Sequence, residues 1–313
     1  MGAKRYRNFH PGEVAFQADF GVDTDAFDVG VERAFRPELS DNEVRFVDGL
    51  TFSVATSIDG GGRPWVSPLF APAGGLFEVV DRTTVLVRPE VADGDPLLDN
   101  VEATGELGVL YFDPSRRRRA KSLGRATLDD GAIRYTMHRN FGLCTKYICK
   151  RAHSAGAAAA TAVGEGSDVR TSLTQADREQ LAASDTIYLG SHHTEHGADA
   201  THRGGPAGFV SVVDDTMLLV PEYLGNGMFN TLGNLLLDDR VALTTVDLRT
   251  GRTLQVTGRG ATEPSPPDDA MSERSILIAI TEVRVNHAAV GEWTDLEAFD
   301  HRPGLLNPAT PFR

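Results

Sequence analysis

The chain has 313 residues, 41% hydrophobic and 24% charged, the proportions of a soluble globular protein with room for two domains or one large one. A formal net charge of −13 argues against a nucleic-acid surface as its main partner, and no apolar run reaches the length of a membrane span. Cys144 and Cys149 are the only cysteines; two free thiols suit a reducing cytoplasm better than a disulfide scaffold, and a lone C-x4-C spacing predicts no metal site. The basic start, Met1–Arg7, has no apolar segment behind it, so no secretory signal is expected.

Residues 1–45 are mixed and acidic, with helix-like stretches around Glu13–Phe20 and Asp28–Phe35, and read as an N-terminal arm. A first β half is expected over 46–153. Thr51–Ser57 and Trp65–Leu69 are strand-like and flank the turn Asp59–Pro64, which makes a hairpin. Short strands follow at Thr84–Arg88, Glu106–Phe112 and Ala120–Leu128. The run Arg116–Arg119 reads as a solvated turn. Residues 154–175 begin with an Ala/Gly/Ser-rich stretch, expected to be a linker or mobile loop. A second half spans 176–313, with a helix capped by Thr174, a strand at Thr186–Gly190, a helix from Phe229 and a strand at Val241–Val246.

The two halves look alike. Leu86–Glu90 resembles Leu219–Glu222, and Gly124-Arg125-Ala126 echoes Gly258-Arg259-Gly260. Such a repeat predicts two copies of one β architecture, and many short strands with few helices predict barrels or sandwiches.

Polar groups, glycines and one arginine cluster at strand ends between 199 and 261. Beside His202, Arg203 can fork onto a phosphate or carboxylate, and Gly204 and Gly205 let backbone approach a ligand. Gly225, Asn226, Asn230 and Asn234 either bind the polar edge of a ring or serve as loop and helix cap. Gln255 either faces solvent or donates to a ligand. Trp65, Tyr223 and Phe229 either stack on a flat ring or pack in the core. His192, His193 and His196 form a loop cluster that is structural or, alternatively, a zinc or haem ligand set. Walker, Rossmann and nucleophile-elbow motifs are absent.

These segments resemble the pyridoxamine-phosphate-oxidase-like, flavin-binding split-barrel superfamily, in particular its larger bacterial members with two barrel-like halves. The resemblance rests on 185–261, with His202–Phe209, Pro221–Asn226, Asn230–Leu236 and Leu254–Gly258. Weaker support comes from Phe52–Leu69, Phe9–Glu13 and Asn140–Ile148. It implies a mainly β fold of tandem split barrels with peripheral helices, and FMN held at a barrel–barrel interface. That interface is often between two subunits, which implies a homodimer, although a tandem chain could supply both barrels itself. By position, Arg203 would meet the phosphate. Pro221, Tyr223, Gly225, Asn226, Phe229 and Asn230 would line the phosphate, ribityl chain and ring, and Gln255 would reach the ring edge. Simpler relatives often carry basic residues where this chain has Leu224, Met228 and Gly233. The resemblance implies an FMN-dependent oxidoreductase for a small organic substrate. The same superfamily holds deazaflavin-dependent reductases and haem-utilisation proteins, so a deazaflavin reductase or a non-catalytic flavin or haem binder is the alternative.

Overall fold

The structure, a computed structural model, describes residues 6–154, 168–223, 225–266, 272–288 and 290–297. It opens with α1 (Pro11–Asp19), α2 (Thr24–Val31) and α3 (Asp41–Asp48). Each start has a local cause. His10 and Glu13 form a capping box at α1, and Ser40 and Glu43 form another at α3. The second helix begins at Thr24, ahead of the expected Asp28, because the Asp23 carboxylate accepts from Ala26 N–H and starts it there.

The first half comprises β1 (Phe52–Ile58), β2 (Pro64–Phe70), β3 (Phe77–Val79), β4 (Thr84–Val87), α4 (Leu97–Thr104), β5 (Glu106–Asp113), β6 (Arg118–Asp129) and β7 (Ala132–Gly142). Then come β8 (Arg151–Ser154), β9 (Asp168–Arg170) and α5 (Gln175–Ala183), the last held by a Thr174–Asp177 capping box. The second half comprises β10 (Thr186–His193), β11 (Gly197–Gly204), β12 (Ser211–Asp214), β13 (Met217–Tyr223), α6 (Asn230–Leu237), β14 (Arg240–Val246), β15 (Arg252–Pro264) and β16 (Ser272–His287). Finally β17 (Glu292–Asp295) returns to pair with β8. Of the expected linker, 155–167 lie outside the described residues, as does the tail Pro303–Arg313.

Both halves build the same antiparallel sheet. The strand order β2-β1-β5-β6-β7-β4-β3 recurs as β11-β10-β14-β15-β16-β13-β12, with β9 added on β16. The register recurs too. Val54 lies opposite Leu110 and Tyr188 opposite Thr244, a shift of 134 residues for both partners (188 − 54, 244 − 110). Val66 opposite Thr56 likewise becomes Ala200 opposite Gly190. The first sheet curls until Phe70, at the end of β2, bridges Glu90 beyond β4. The fold is thus mainly β, in two barrel-like halves.

Each half has its own apolar core. Tyr111, Tyr135 and Val109 lie in the first, and Leu189, Leu243 and Val256 in the second. A third cluster, including Val54, Val66, Leu110, Tyr188 and Ala242, draws side chains from both halves and joins them. Alternation along β1, β2, β10 and β14 therefore yields two apolar faces, one inward and one toward the other half, so β1 and β2 are buried throughout and β10 and β14 are buried along their middles. Thr244 Oγ1 donates across the join to the Val66 carbonyl at 2.7 Å.

The N-terminal segment is built into the second half. α1 crosses α6 where Gly12 meets Gly233, and a Cβ on either would collide with the other helix's backbone. Phe16 and Phe20 pack against Phe229.

Candidate functional site

One small cavity gathers most of the sequence-predicted site residues. Its volume is about 70 Å³, and His202, Arg203, Gly204, Tyr223, Gly225, Asn226, Phe229 and Asn230 all line it. The end of β11, the end of β13 and the start of α6 supply them. Gly204 matters through its missing side chain, because a Cβ there would strike the Tyr147 carbonyl, which lies against β11.

The far wall comes from the first half and was not anticipated. Arg119 and Lys121 reach in from β6, and Leu143, Cys144 and Tyr147 follow from the segment after β7. The run Arg116–Arg119 is therefore only partly a solvated turn. Arg116 is exposed, but Arg119 lies on a strand face that looks into the molecule. Its guanidinium donates to the Cys144 carbonyl at 2.7 Å and lies 2.7 Å from His202 Nδ1. Burial lowers its pKa, yet a guanidinium stays charged at any physiological pH.

The charges around the cavity do not cancel. Lys121 Nζ contacts Asp199 Oδ1 at 2.5 Å, both side chains being 2% exposed. Arg203 pairs with Glu222 at 2.9 Å. Arg119 has no acidic partner among the described residues. Three cations thus face two carboxylates. Burial holds His202 well below its usual pKa, so it stays neutral, and pushes Glu222 upward against the pull of Arg203. Arg203 Nε and His202 Nε2 are buried without a hydrogen-bond partner, and Glu222 Oε2 meets Arg203 only as an ion pair. Buried polar atoms are nearly always satisfied, so unmet ones lining a cavity point to a missing ligand.

Four predicted residues lie elsewhere. Gln255 is fully buried at the join between the halves, where Nε2 donates to the Val66 carbonyl and to Asp95 Oδ2, each at 2.9 Å. Asn234 donates to Ser191 Oγ and accepts from His10, so it anchors α1. Pro221 is paired with Ser275 inside the sheet. Gly205 makes room for the Phe209 ring. Trp65 is fully buried, with its indole N–H on Asp59. Met228 packs among apolar side chains of the N-terminal segment and Gly233 faces α1, so neither replaces a phosphate ligand. Leu224 lies outside the described residues.

The histidines do not form one site either. His192 and His193 are consecutive on β10 and point to opposite faces; His192 lies near Asp238, 3.9 Å away. His193 instead stacks on His10, and His196 meets the His10 ring edge-on. His10, Glu13 and His196 place potential metal donors within 4.8 Å of one another. Their atoms are already used, however. His10 Nδ1 accepts from Gly12 N–H while Nε2 contacts Asn234. Glu13 accepts from His10 N–H and Asn230, and Arg139 approaches His196 Nδ1 at 3.0 Å. A cation there would break each bond and face a guanidinium.

A larger cleft of about 780 Å³ opens beside Phe112, Tyr188 and Trp293. Its inner cations are paired, Arg151 with Asp185 and Asp295, and Arg252 with Asp177. No unpartnered buried polar atom lines it among the described residues.

No helix among the described residues is long and apolar enough to cross a membrane. No family model and no curated protein matches the chain. Solved structures similar to it include a candidate pyridoxamine 5'-phosphate oxidase of Lactobacillus delbrueckii, at 16% identity and TM-score 0.31, over 36% of this chain and 94% of that one. Group A Streptococcus HupZ aligns at 9% identity and TM-score 0.30, over 38% of this chain and 97% of that one. A FAD-binding protein of Mycobacterium smegmatis aligns at 9% identity and TM-score 0.27, over 38% and 98%. Each similarity takes in nearly all of the other protein and little more than a third of this one.

Proposed function

We propose that the chain is a flavin-dependent oxidoreductase of the split-barrel type, acting in the cytoplasm on a small organic substrate and holding FMN by its phosphate in the cavity between the halves. The observation that carries this reading is the convergence of Arg119, Lys121 and Arg203 on a cavity where Arg203 Nε and His202 Nε2 are unpartnered. A cavity of about 70 Å³ suits a phosphate-sized group, since whole cofactor sites usually need roughly 300 Å³ or more. The remainder of the cofactor would lie at the mouth, where Tyr223, Gly225, Asn226 and Phe229 stand. The excess of cations fits an anion, and the donors fit phosphate oxygens. A bound flavin would supply the electron chemistry, which suits a chain without a nucleophile motif. This chain's residues would orient the cofactor, and Glu222 would have to share Arg203 with the phosphate. A deazaflavin carrying a phosphate would satisfy the same charges.

The test is the absorbance spectrum of the purified protein, before and after FMN addition and gel filtration. Retained bands at about 370 and 450 nm support the reading. A colourless protein that retains no FMN overturns it. A Soret band after haem addition would favour the haem-binder alternative.

A further inference from the structure

We infer that the chain is a self-sufficient pseudo-dimer with one anion pocket, and that the equivalent second pocket is permanently filled by its own Asp95 carboxylate. The inference uses the flavin reading only to choose a first probe.

Two facing copies of one architecture generate two equivalent positions at their join. The 134-residue shift identifies them, because it holds through β1 and β2, recurs in the Asn100–Ser57 and Asn234–Ser191 bonds that fix α4 and α6, and continues through β5 and most of β6. Lys121 of the cavity corresponds to Gln255, Thr201 to Ser67, Phe229 to Asp95 and Thr231 to Leu97. The contacts of Asp95 then become informative. Its carboxylate accepts from Ser67 Oγ at 2.6 Å, from Gln255 Nε2 at 2.9 Å and from Leu97 N–H, in the first turn of α4, at 2.9 Å. Those three donors are the counterparts of Thr201, Lys121 and Thr231, and all three counterparts line the cavity.

Asp95 therefore shows how an anionic oxygen sits in this architecture. Donors arrive from the second strand of one half, from the long strand of the other, and from the start of the short helix. In the open pocket, a phosphomonoester would be bound by Thr201 Oγ1, Lys121 Nζ and Thr231 N–H. Arg119 and Arg203, which have no charged counterparts at 253 and 69, add the charge a dianion needs. In the sealed position the ligand would meet a carboxylate and no lysine. Burial pushes Asp95 up to about 6, so at neutral pH it is the anion its donors hold. Asn286 Nδ2 closes the network on Gln255 Oε1 at 2.6 Å. Since β6 and β11 belong to the same chain, no second subunit is needed to complete the open pocket.

The test is a titration of the full chain with FMN at neutral pH, alongside its mass in solution. One FMN per chain, independent of chain concentration, is expected. The double variant Lys121→Gln, Asp199→Asn puts the sealed side's glutamine in place of the lysine and removes its partner's charge, so no buried charge is stranded, and should weaken binding at least about 10-fold. Asp95→Asn should leave both affinity and stoichiometry unchanged. Two FMN per chain, one FMN per two chains, or loss of FMN in a folded Asp95→Asn protein would overturn the inference. If FMN does not bind at all, the flavin reading fails on its own, and crystals soaked in tungstate decide. One tungstate between Lys121 and Thr201 upholds the single pocket; none there, or one beside Asp95, overturns it.

Discussion

Asn234 donates to Ser191 Oγ at 2.9 Å, and 134 residues earlier Asn100 makes the same bond to Ser57 at 2.9 Å. In both halves a short helix is thus pinned to the first strand by one buried amide. All four side chains are at most 4% exposed. The copies differ in what else the amide does. Asn234 Oδ1 also contacts His10 Nε2 at 2.9 Å, which ties in α1. Asn100→Ala should cost about 1–3 kcal/mol, the penalty for an unmet buried partner. Asn234→Ala should cost more, because it also orphans His10. Urea unfolding of both variants checks the order.

The crossing of α1 and α6 yields a steric prediction. Gly12→Ala or Gly233→Ala places a methyl group inside the opposing backbone. Backbone cannot yield as a flexible side chain can, so each should destabilise by about 1–3 kcal/mol. Gly30→Ala is the control, because a Cβ there meets nothing within 4 Å. Faster proteolysis within 6–20 in the first two variants, but not in the third, would show that the crossing holds the segment down.

Strand phase explains what the sequence concealed. The hairpin across Asp59–Pro64 was legible because turn residues separate a β-branched run from a second apolar, strand-like one. The repeat was legible through Gly124 and Gly258. Arg119 was misread because a charge run was judged by its neighbours, whereas β6 sends successive side chains to opposite faces. Gln255 was misread for a related reason. It lies on the face of β15 that meets the first half, and a single strand carries no mark of which buried face meets a ligand and which meets protein. The docking of His10 on Asn234 spans 224 residues, and no local pattern encodes it.

Arg119 offers a cleaner test of the cavity than Arg203. Replacing Arg203 strands the buried Glu222, whereas Arg119 has no acid to strand among the described residues. Arg119→Gln should weaken FMN or inorganic phosphate binding about 10- to 100-fold, the worth of one charge-assisted hydrogen bond. In the ligand-free protein the substitution breaks no ion pair, although the Cys144 carbonyl and His202 Nδ1 each lose a contact, so its unfolding midpoint serves as the control for folding. Affinity unchanged within about 2-fold would remove Arg119 from the binding site.

The His10–Glu13–His196 cluster sets the pH response of the N-terminal segment. Burial depresses His10 to about 4 and His196 to about 3, with His193 and Arg139 respectively adding to the shift. Burial also raises Glu13 to about 7. Below about pH 6.5 the unfolded chain takes up protons that the folded histidines refuse, so stability falls as pH drops through 6.5 toward 4. Glu13 acts in the opposite sense, because its folded form binds the proton more tightly, so its contribution is lost as pH rises from 4.5 to 7. Two histidines against one carboxyl leave a net loss on acidification. His153, His192, His193 and His202 are depressed by burial in the same direction, while Asp95 and Glu222, raised by burial, oppose it as Glu13 does. Between pH 6.5 and 5 the unfolding free energy should fall by at least about 1–2 kcal/mol. Glu13→Gln removes the opposing group and should steepen that fall, while His196→Asn should make it shallower. Urea titrations at the two pH values measure all three slopes, and a wild-type protein equally stable at both would contradict the buried, neutral state of these histidines.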